Sequence, residues 1–180
     1  MKNQLNANPV PMVIPIGQAE SFDGVIDLIK MKALYFDMKS LGKTVIEKDI
    51  PEEYVEKAKE YRQKMVESGA EQDDALMEKF FAGEELTVDE IKEAIRKGCI
   101  ARTITPAFCG TAFKDKGIQP LLDAVCDYLP SPLDAGPAVS ADDPTQKREV
   151  SDTEPFCGLA FKIMNDPKAG GKITQSLIHI

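Results

Sequence analysis

The chain has 180 residues, a formal net charge of −8 and an apolar fraction of 43%. This length gives room for one domain, or for one domain and part of another, and the apolar fraction is high enough to form a core. A net acidic chain is a poor autonomous binder of nucleic acid, because phosphate contacts need clustered Lys and Arg. No apolar run approaches the roughly 18 residues of a membrane span, so we expect a cytoplasmic protein that does not bind membranes.

The cysteine and histidine pattern argues against a metal site. Cys99, Cys109, Cys126 and Cys157 form no C-x-x-C pair, and His179 is the only histidine. A structural zinc site needs closely spaced ligands, and a disulfide framework is typical of small secreted chains. We therefore expect free cysteines that fill small apolar spaces in the core.

The first fifty residues have the pattern of a small sheet. Short β-prone runs occur at 12–16, 25–29, 32–36 and 44–46, and Gly24 is expected to form a turn beside them.

Three helices follow, because the apolar period changes to that of an amphipathic helix. The first begins after Pro51, which suits a first helical turn, and ends near Gly69. The second covers about 73–81. The third opens with the capping-box pattern Thr87-Val88-Asp89-Glu90 and is expected to stop at Gly98.

The pattern changes again after residue 103, where a buried strand at 104–109 and a loop at 110–117 precede another helix. Strand, loop and helix in this order are typical of the closing unit of an α/β sheet. The expected inner face of that helix consists of Ile118, Leu121, Leu122, Val125 and Leu129. Prolines between 130 and 153 predict a linker, and 156–164 predicts a β-strand without neighbours.

Nucleotide-binding motifs are largely absent. Gly170-Gly171-Lys172 is followed by Ile173, and Asp166 stands where a phosphate-binding loop would have its first glycine. The sequence contains no D-x-x-G and no N-K-x-D. A Ser/His/Asp arrangement is not credible with one histidine beside the terminus. We expect no catalytic residues in this chain.

Several ordered blocks over residues 1–167 resemble bacterial elongation factor G, the GTPase that moves transfer RNAs and messenger RNA through the ribosome. The blocks are ANPVPMVIPIG at 7–17, FDGVIDL at 22–28, EKF at 78–80, GEELT at 83–87, CGTAFKDKG at 109–117, LDAV at 122–125, DYLPSP at 127–132, EPF at 154–156, LAFKI at 159–163 and DP at 166–167. Residues 175–180 depart from the family pattern.

The resemblance implies an α/β fold class with five segments. They are the end of an upstream GTPase-domain segment at 1–11, an inserted α+β subdomain at 12–102, the last strand and helix of a P-loop-type GTPase domain at 103–129, a proline-rich linker at 130–153, and an incomplete β-barrel strand that begins the second domain at 154–180. The family's phosphate loop, switch regions and Mg²⁺ site would all lie upstream of this chain.

One nucleotide motif remains, and the resemblance implies that it contacts the guanine base of GTP. Thr111, Ala112 and Phe113 match a Ser-Ala-Phe motif with Thr in place of Ser. A tight loop after a strand presents backbone N–H groups, and a small residue at 112 lets the base approach. We expect this loop to bind guanine only in the intact parent, and we expect the chain alone not to hydrolyse GTP.

The resemblance also implies partners, namely the ribosome and the stalk protein of its large subunit. In the family the inserted subdomain faces this stalk. We expect the contact on the charged outer faces of the helices at 52–69 and 87–97. The candidate residues are Glu56, Glu60, Arg62, Glu67, Glu90, Glu93 and Lys97. The alternative is that these side chains are solvated surface charges that bind no partner.

Two other interpretations stay open. Close relatives of the translocase, such as ribosomal-protection proteins, share much of this pattern. The chain could instead be a stand-alone module that binds the ribosome or its stalk without enzymatic activity. An unrelated enzyme has no residue constellation to support it.

Overall fold

The computed structural model describes residues 2–40, 42–151, 153–166 and 171–179. The architecture is mixed α/β, as expected, and the chain divides into two units, Met1–Leu129 and Pro130–Ile180. The strands and helices of the first unit are α1 (Lys2–Leu5), β1 (Pro9–Pro11), β2 (Val13–Ile16), β3 (Gly24–Asp27), β4 (Lys32–Phe36), β5 (Val45–Lys48), α2 (Glu52–Ala70), α3 (Asp74–Phe81), α4 (Val88–Ile100), β6 (Thr105–Ala107) and α5 (Ile118–Tyr128).

Two sheets organise this unit. Strands β2, β3, β4 and β5 form an antiparallel sheet in chain order, while β1 and β6 form a two-stranded parallel pair. In the parallel pair Val10 lies opposite Pro106. The helices α2 to α4 stand between β1 and β6 in the sequence, so the four-stranded sheet and its helices are an insertion between two neighbouring strands.

Gly24 begins a strand and does not form the expected turn. It pairs with Tyr35, and a Cβ atom at Gly24 would lie 2.3 Å from the carbonyl oxygen of Leu34. The turn that joins β3 to β4 follows Asp27, whose Oδ1 accepts hydrogen bonds from the N–H groups of Ile29 at 2.8 Å and Lys30 at 3.0 Å. The turn signal was therefore the aspartate.

The core lies between the sheet and the helices. The expected apolar stripe on α2 is present, with Ala58 and Met65 fully buried. The largest fully buried side chains include Met12, Ile26, Leu28, Met65, Ile91 and Ile95. A second cluster, formed by Val13, Val25, Leu34 and Phe36, contacts Phe108 and Cys109, and it joins the segment after β6 to the sheet.

Helix α4 passes the glycine that was expected to stop it. A Cβ atom at Gly98 would lie 2.7 Å from Cδ1 of Ile104, so this glycine permits close packing and does not end the helix, which runs to Ile100. Its first turn has the expected capping box between Thr87 and Glu90.

The expected inner face of α5 is wrong at four of its five residues, while Ile118 is half-buried. The exposed fraction is 44% for Leu121, 60% for Leu122, 46% for Val125 and 51% for Leu129. The residues of α5 that are buried are Ala124 and Tyr128. Periodicity places the apolar stripe correctly, but the parallel pair has only two strands among the described residues, and no other described element of the first unit covers the stripe.

The cysteines are not all core residues. Cys126 is exposed, while Cys99, Cys109 and Cys157 are half-buried, and all four are free. Burial raises the pKa of the Cys99 and Cys109 thiols. The core-filling role expected for Cys126 is therefore wrong.

The second unit has more regular structure than the expected linker and lone strand. It contains α6 (Pro132–Ala135), β7 (Ala138–Val139), β8 (Lys147–Arg148), β9 (Cys157–Asp166) and β10 (Gly171–His179). Strand β9 was expected to lack neighbours, but it pairs antiparallel with β10, with Ile163 opposite Thr174. The strand β10 includes most of the unmatched segment 175–180, of which residue 180 lies outside the described residues.

No helix in the described part of the chain is long and apolar enough to cross a membrane.

Candidate functional site

The loop between β6 and α5 forms a closed turn around the predicted guanine motif. The N–H of Thr111 donates to the carbonyl oxygen of Lys116 at 2.8 Å, and the N–H of Lys116 donates back to that of Thr111 at 3.2 Å. Between them Ala112–Lys114 form one turn of 3₁₀ helix, and Asp115 adopts a left-handed conformation with φ of 49°. We call residues 111–116 the guanine turn.

Two backbone N–H groups of the guanine turn have no hydrogen-bond partner among the described residues. The N–H groups of Lys114 and Asp115 are used within the turn, whereas those of Ala112 and Phe113 have no partner among the described residues. Both residues are exposed, and the Phe113 side chain is fully exposed. The arrangement can therefore offer neutral N–H donors to a carbonyl oxygen. Each such bond contributes about 1 kcal/mol.

The guanine turn is fixed to the loops of the four-stranded sheet. Nζ of Lys116 donates to the carbonyl oxygen of Phe22 at 3.0 Å and pairs with Oδ1 of Asp23 at 3.2 Å. This side chain is only 13% exposed. One turn later, Nε2 of Gln119 donates to the carbonyl oxygen of Gly42. Sequence reasoning missed both anchors, since they join residues more than 70 positions apart.

The predicted partner residues on α2 divide into two groups. Glu56, Glu60 and Glu67 are exposed, as expected for an outer face. Glu56 pairs with Lys59 at 3.4 Å, and Glu60 pairs with Lys64. The hydrogen bond from Lys64, followed by its charge, lowers the pKa of Glu60.

Arg62 does not lie on the expected outer face. Its guanidinium donates to the carbonyl oxygen of Leu28 at 2.6 Å and to that of Ile29. It therefore satisfies the carbonyl groups of the turn between β3 and β4, and it joins α2 to the sheet. An arginine among carboxylates on a helix looks like a surface charge in the sequence, and no local pattern marks it as a turn ligand.

The predicted residues on α4 mainly hold helices together. Glu90 accepts the N–H of Thr87 at 2.9 Å and pairs with Lys79 of α3. Lys97 pairs with Asp73, the N-cap residue of α3, at 2.7 Å, and with the exposed Glu93 at 3.5 Å. The exposed carboxylates of the predicted surface are therefore Glu56, Glu60, Glu67 and Glu93.

An apolar groove beside α5 is the feature that sequence reasoning missed. It has a volume of about 350 Å³ and lies between α5 and the segment that includes β6. The residues that line it include Ile104, Pro106, Phe108, Leu121, Val125, Tyr128 and Leu129. The apolar stripe of α5 was the available signal, but it was assigned to the interior. We call this groove and the exposed stripe the α5 face.

A comparison with solved structures relates this fold to one part of a larger protein. A crystal structure of a protein from Thermus thermophilus matches with a TM-score of 0.72 and 23% identity, over 99% of this chain and 24% of that one. No protein-family model matches the sequence. The chain thus spans about a quarter of the length of that protein, and at this identity the match shows a common fold.

Proposed function

We propose that the chain is a segment of a translational GTPase of the elongation factor G type. The observation that carries the proposal is the α5 face together with the parallel pair β1–β6. Parallel strands are normally covered on both faces within larger sheets, and an apolar face of this size marks a place where more protein packs. A strand–turn–helix unit with these properties suits the end of an α/β domain.

Two further observations support this proposal. The ordered sequence blocks at 7–17, 109–117 and 127–132 fall on β1, on the guanine turn and at the end of α5. The match to 24% of a much longer chain is of the kind expected for a segment of a multidomain protein. The strand β9 would then begin the β-barrel domain, and the protein would act in the cytoplasm.

In this proposal the whole protein binds GTP and Mg²⁺ and drives translocation on the ribosome. The guanine turn contacts the base through the N–H groups at Ala112 and Phe113. The phosphates and Mg²⁺ are bound by other parts of the protein, since this sequence has no phosphate-binding loop.

The direct test uses the full reading frame that contains the chain. We expect it to encode an in-frame G-x-x-x-x-G-K-[ST] motif before residue 1, and its product to hydrolyse GTP faster with ribosomes. A bulky side chain at the guanine turn, Ala112→Leu, should weaken GDP binding by the whole protein about tenfold, because it blocks approach to the N–H groups. The matched control, Ala141→Leu, makes the same substitution at an exposed alanine outside the guanine turn and should leave affinity unchanged. A reading frame without the phosphate loop would refute the proposal.

A second candidate, a module that binds the ribosomal stalk, is favoured by the exposed carboxylates Glu56, Glu60, Glu67 and Glu93. Such contacts are weak and sensitive to salt. We expect the labelled chain to bind stalk protein at low salt. Reversal of Glu56, Glu60 and Glu67 to Lys should change that affinity without changing the circular dichroism spectrum. Equal binding before and after the reversal would place the contact elsewhere.

A further inference from the structure

A separate cavity lies between the four-stranded sheet and α5. Its volume is about 220 Å³. Val13 and Leu34 contribute apolar surface from the sheet, and Pro120 and Ala124 contribute it from α5. The cavity is distinct from the guanine turn and from the exposed carboxylates of α2 and α4, and neither the resemblance nor the proposed function uses it.

The lysines around this cavity are already paired. Lys30 pairs with Glu47 at 3.3 Å, and Lys92 pairs with Asp127 at 2.7 Å. All four side chains line the cavity. These pairs neutralise two of its four carboxylates, and the charge that remains is that of Asp27 and Asp123.

Asp27 and Asp123 stand on opposite walls, one at the end of β3 and one on α5. Asp27 accepts backbone hydrogen bonds from Ile29 and Lys30 through Oδ1. Asp123 has no hydrogen bond or ion pair among the described residues, and it is exposed. The cavity therefore combines an apolar floor with two carboxylates that no cation balances.

A neutral acceptor in the same cavity also lacks a donor. Oε1 of Gln119 is buried and has no hydrogen-bond partner among the described residues, while the amide nitrogen of this side chain donates to the carbonyl oxygen of Gly42. A buried acceptor without a donor is destabilising. Gln119 and Asp123 are four positions apart on α5, so their side chains lie on the same face of the helix.

We propose that this cavity binds an arginine side chain presented by a partner polypeptide. The aliphatic part of the arginine covers Val13, Leu34 and Pro120, as such stems do on apolar surfaces. Its guanidinium lies between Asp27 and Asp123, and a small shift of the Gln119 side chain brings Oε1 within reach of one N–H. Arginine fits better than lysine, because its five N–H donors form a planar fork that serves several acceptors together.

Charge complementarity favours a basic polypeptide as the source of this arginine. The chain carries a net charge of −8, so a basic segment is attracted before contact. The inference does not depend on the proposed GTPase, because the cavity is formed by residues of this chain alone.

The test is an NMR titration of the ¹⁵N-labelled chain with the capped peptide acetyl-Gly-Arg-Gly-amide. We expect shifts at the backbone amides of residues 27–30, 119 and 121–124, and at the side-chain amide of Gln119. The citrulline peptide has the same shape without charge and should bind about tenfold more weakly, while the lysine peptide should lie between them. Free arginine should bind more weakly than the peptide.

Two variants complete the experiment. Asp123→Asn should weaken binding of the arginine peptide about fivefold, as expected for the loss of one exposed charge pair. Asp142→Asn removes a carboxylate of the second unit that is also exposed, and it should have no effect. The proposal is wrong if the shifts fall outside the cavity, if citrulline binds as well as arginine, or if both variants weaken binding equally. Free arginine binding as tightly as the peptide would assign the cavity to a small molecule and overturn the polypeptide partner.

Discussion

Glu90 connects two helices through one carboxylate. The hydrogen bond from Lys79, followed by those from the N–H and hydroxyl of Thr87, lowers its pKa from 4.5 to about 2. A carboxylate whose pKa is lower in the folded than in the unfolded state stabilises the fold when it is ionised. Its contribution is fully present above about pH 4.5 and is lost as the pH falls through about 2.

The first prediction follows from this pH dependence. Glu90→Gln removes the charge, so the variant should melt at a lower temperature than the native chain at pH 7. The gap in Tm should narrow as the pH falls from 4.5 toward 2, where the native carboxylate itself becomes protonated. Thermal unfolding followed by circular dichroism measures this gap. The control Glu93→Gln changes only a solvent-exposed pair and should shift Tm little. A Tm difference between Glu90→Gln and the native chain that is the same at pH 3 and pH 7 would contradict the lowered pKa of Glu90.

A pair of glycines in packed helices provides the second prediction. Gly98→Ala should destabilise the fold by about 1–3 kcal/mol, because its Cβ would lie 2.7 Å from Ile104 and force the core apart. Gly69→Ala should instead be neutral or stabilising by up to about 1 kcal/mol, since its Cβ would meet the nearest atom at 3.5 Å and alanine favours helix. Urea unfolding of both variants measures the two effects. Equal destabilisation by both would show that space around Gly98 is not the cause.

The third prediction compares an exposed and a buried position of helix α5. Leu122→Glu changes a side chain that is 60% exposed, and it should leave the free energy of unfolding within about 0.5 kcal/mol. Ala124→Glu places a charge where only 7% of the residue is exposed, and it should unfold the unit or cost several kcal/mol. Urea midpoints test both.

The sequence predicts elements better than it predicts their neighbours. The periodicity of α2 and the capping box at Thr87 are local, and both are present in the structure. The pairing of Val10 with Pro106, and that of β9 with β10, depend on chain segments meeting in space. The same limit explains Gly24 and Gly98, which look like turn and stop signals but serve close packing.

The candidate sites, too, could be predicted only where they depend on residues that are adjacent in the sequence. The strand, the glycine-bounded loop and the helix around residues 111–116 could be located from the sequence, because they are adjacent in it. Their contact with guanine is implied by the resemblance alone and stays a prediction. The inward position of Arg62 could not, since the carbonyl groups that it binds are more than 30 residues away. The cavity between the sheet and α5 likewise combines residues from 12 to 128 and has no sequence pattern.

At the scale of the whole molecule, we expect the rate of amide hydrogen exchange to differ between the two units. Amides in the buried part of α2 should exchange slowly, because that helix packs against α4 and its residues Ala58 and Met65 are fully buried. Amides at 130–153 should exchange fast, since the paired strands there are only two residues long. The ladder of β9 and β10 should give intermediate protection. Uniform protection from α2 to β9 would contradict this picture.

The last prediction is that the purified chain releases no phosphate from GTP above background, with or without ribosomes. Phosphoryl transfer depends on groups that cradle the phosphates and on Mg²⁺ that neutralises the developing charge. This sequence has no G-x-x-x-x-G-K-[ST] loop to cradle the phosphates. The guanine turn offers two spare N–H groups, and neutral bonds of about 1 kcal/mol each are too weak to retain a nucleotide that has no phosphate contacts.

Phosphate release should be followed across the fractions of a final gel-filtration column. A contaminating GTPase gives activity that does not follow the protein peak, whereas intrinsic activity rises and falls with it. The Ala112→Leu variant is the matched control, because it blocks the guanine turn without touching the core. Activity that follows the peak and disappears in this variant would mean that the turn belongs to a working nucleotide site within the chain. The proposal that other parts of the whole protein bind the phosphates and Mg²⁺ would then be wrong.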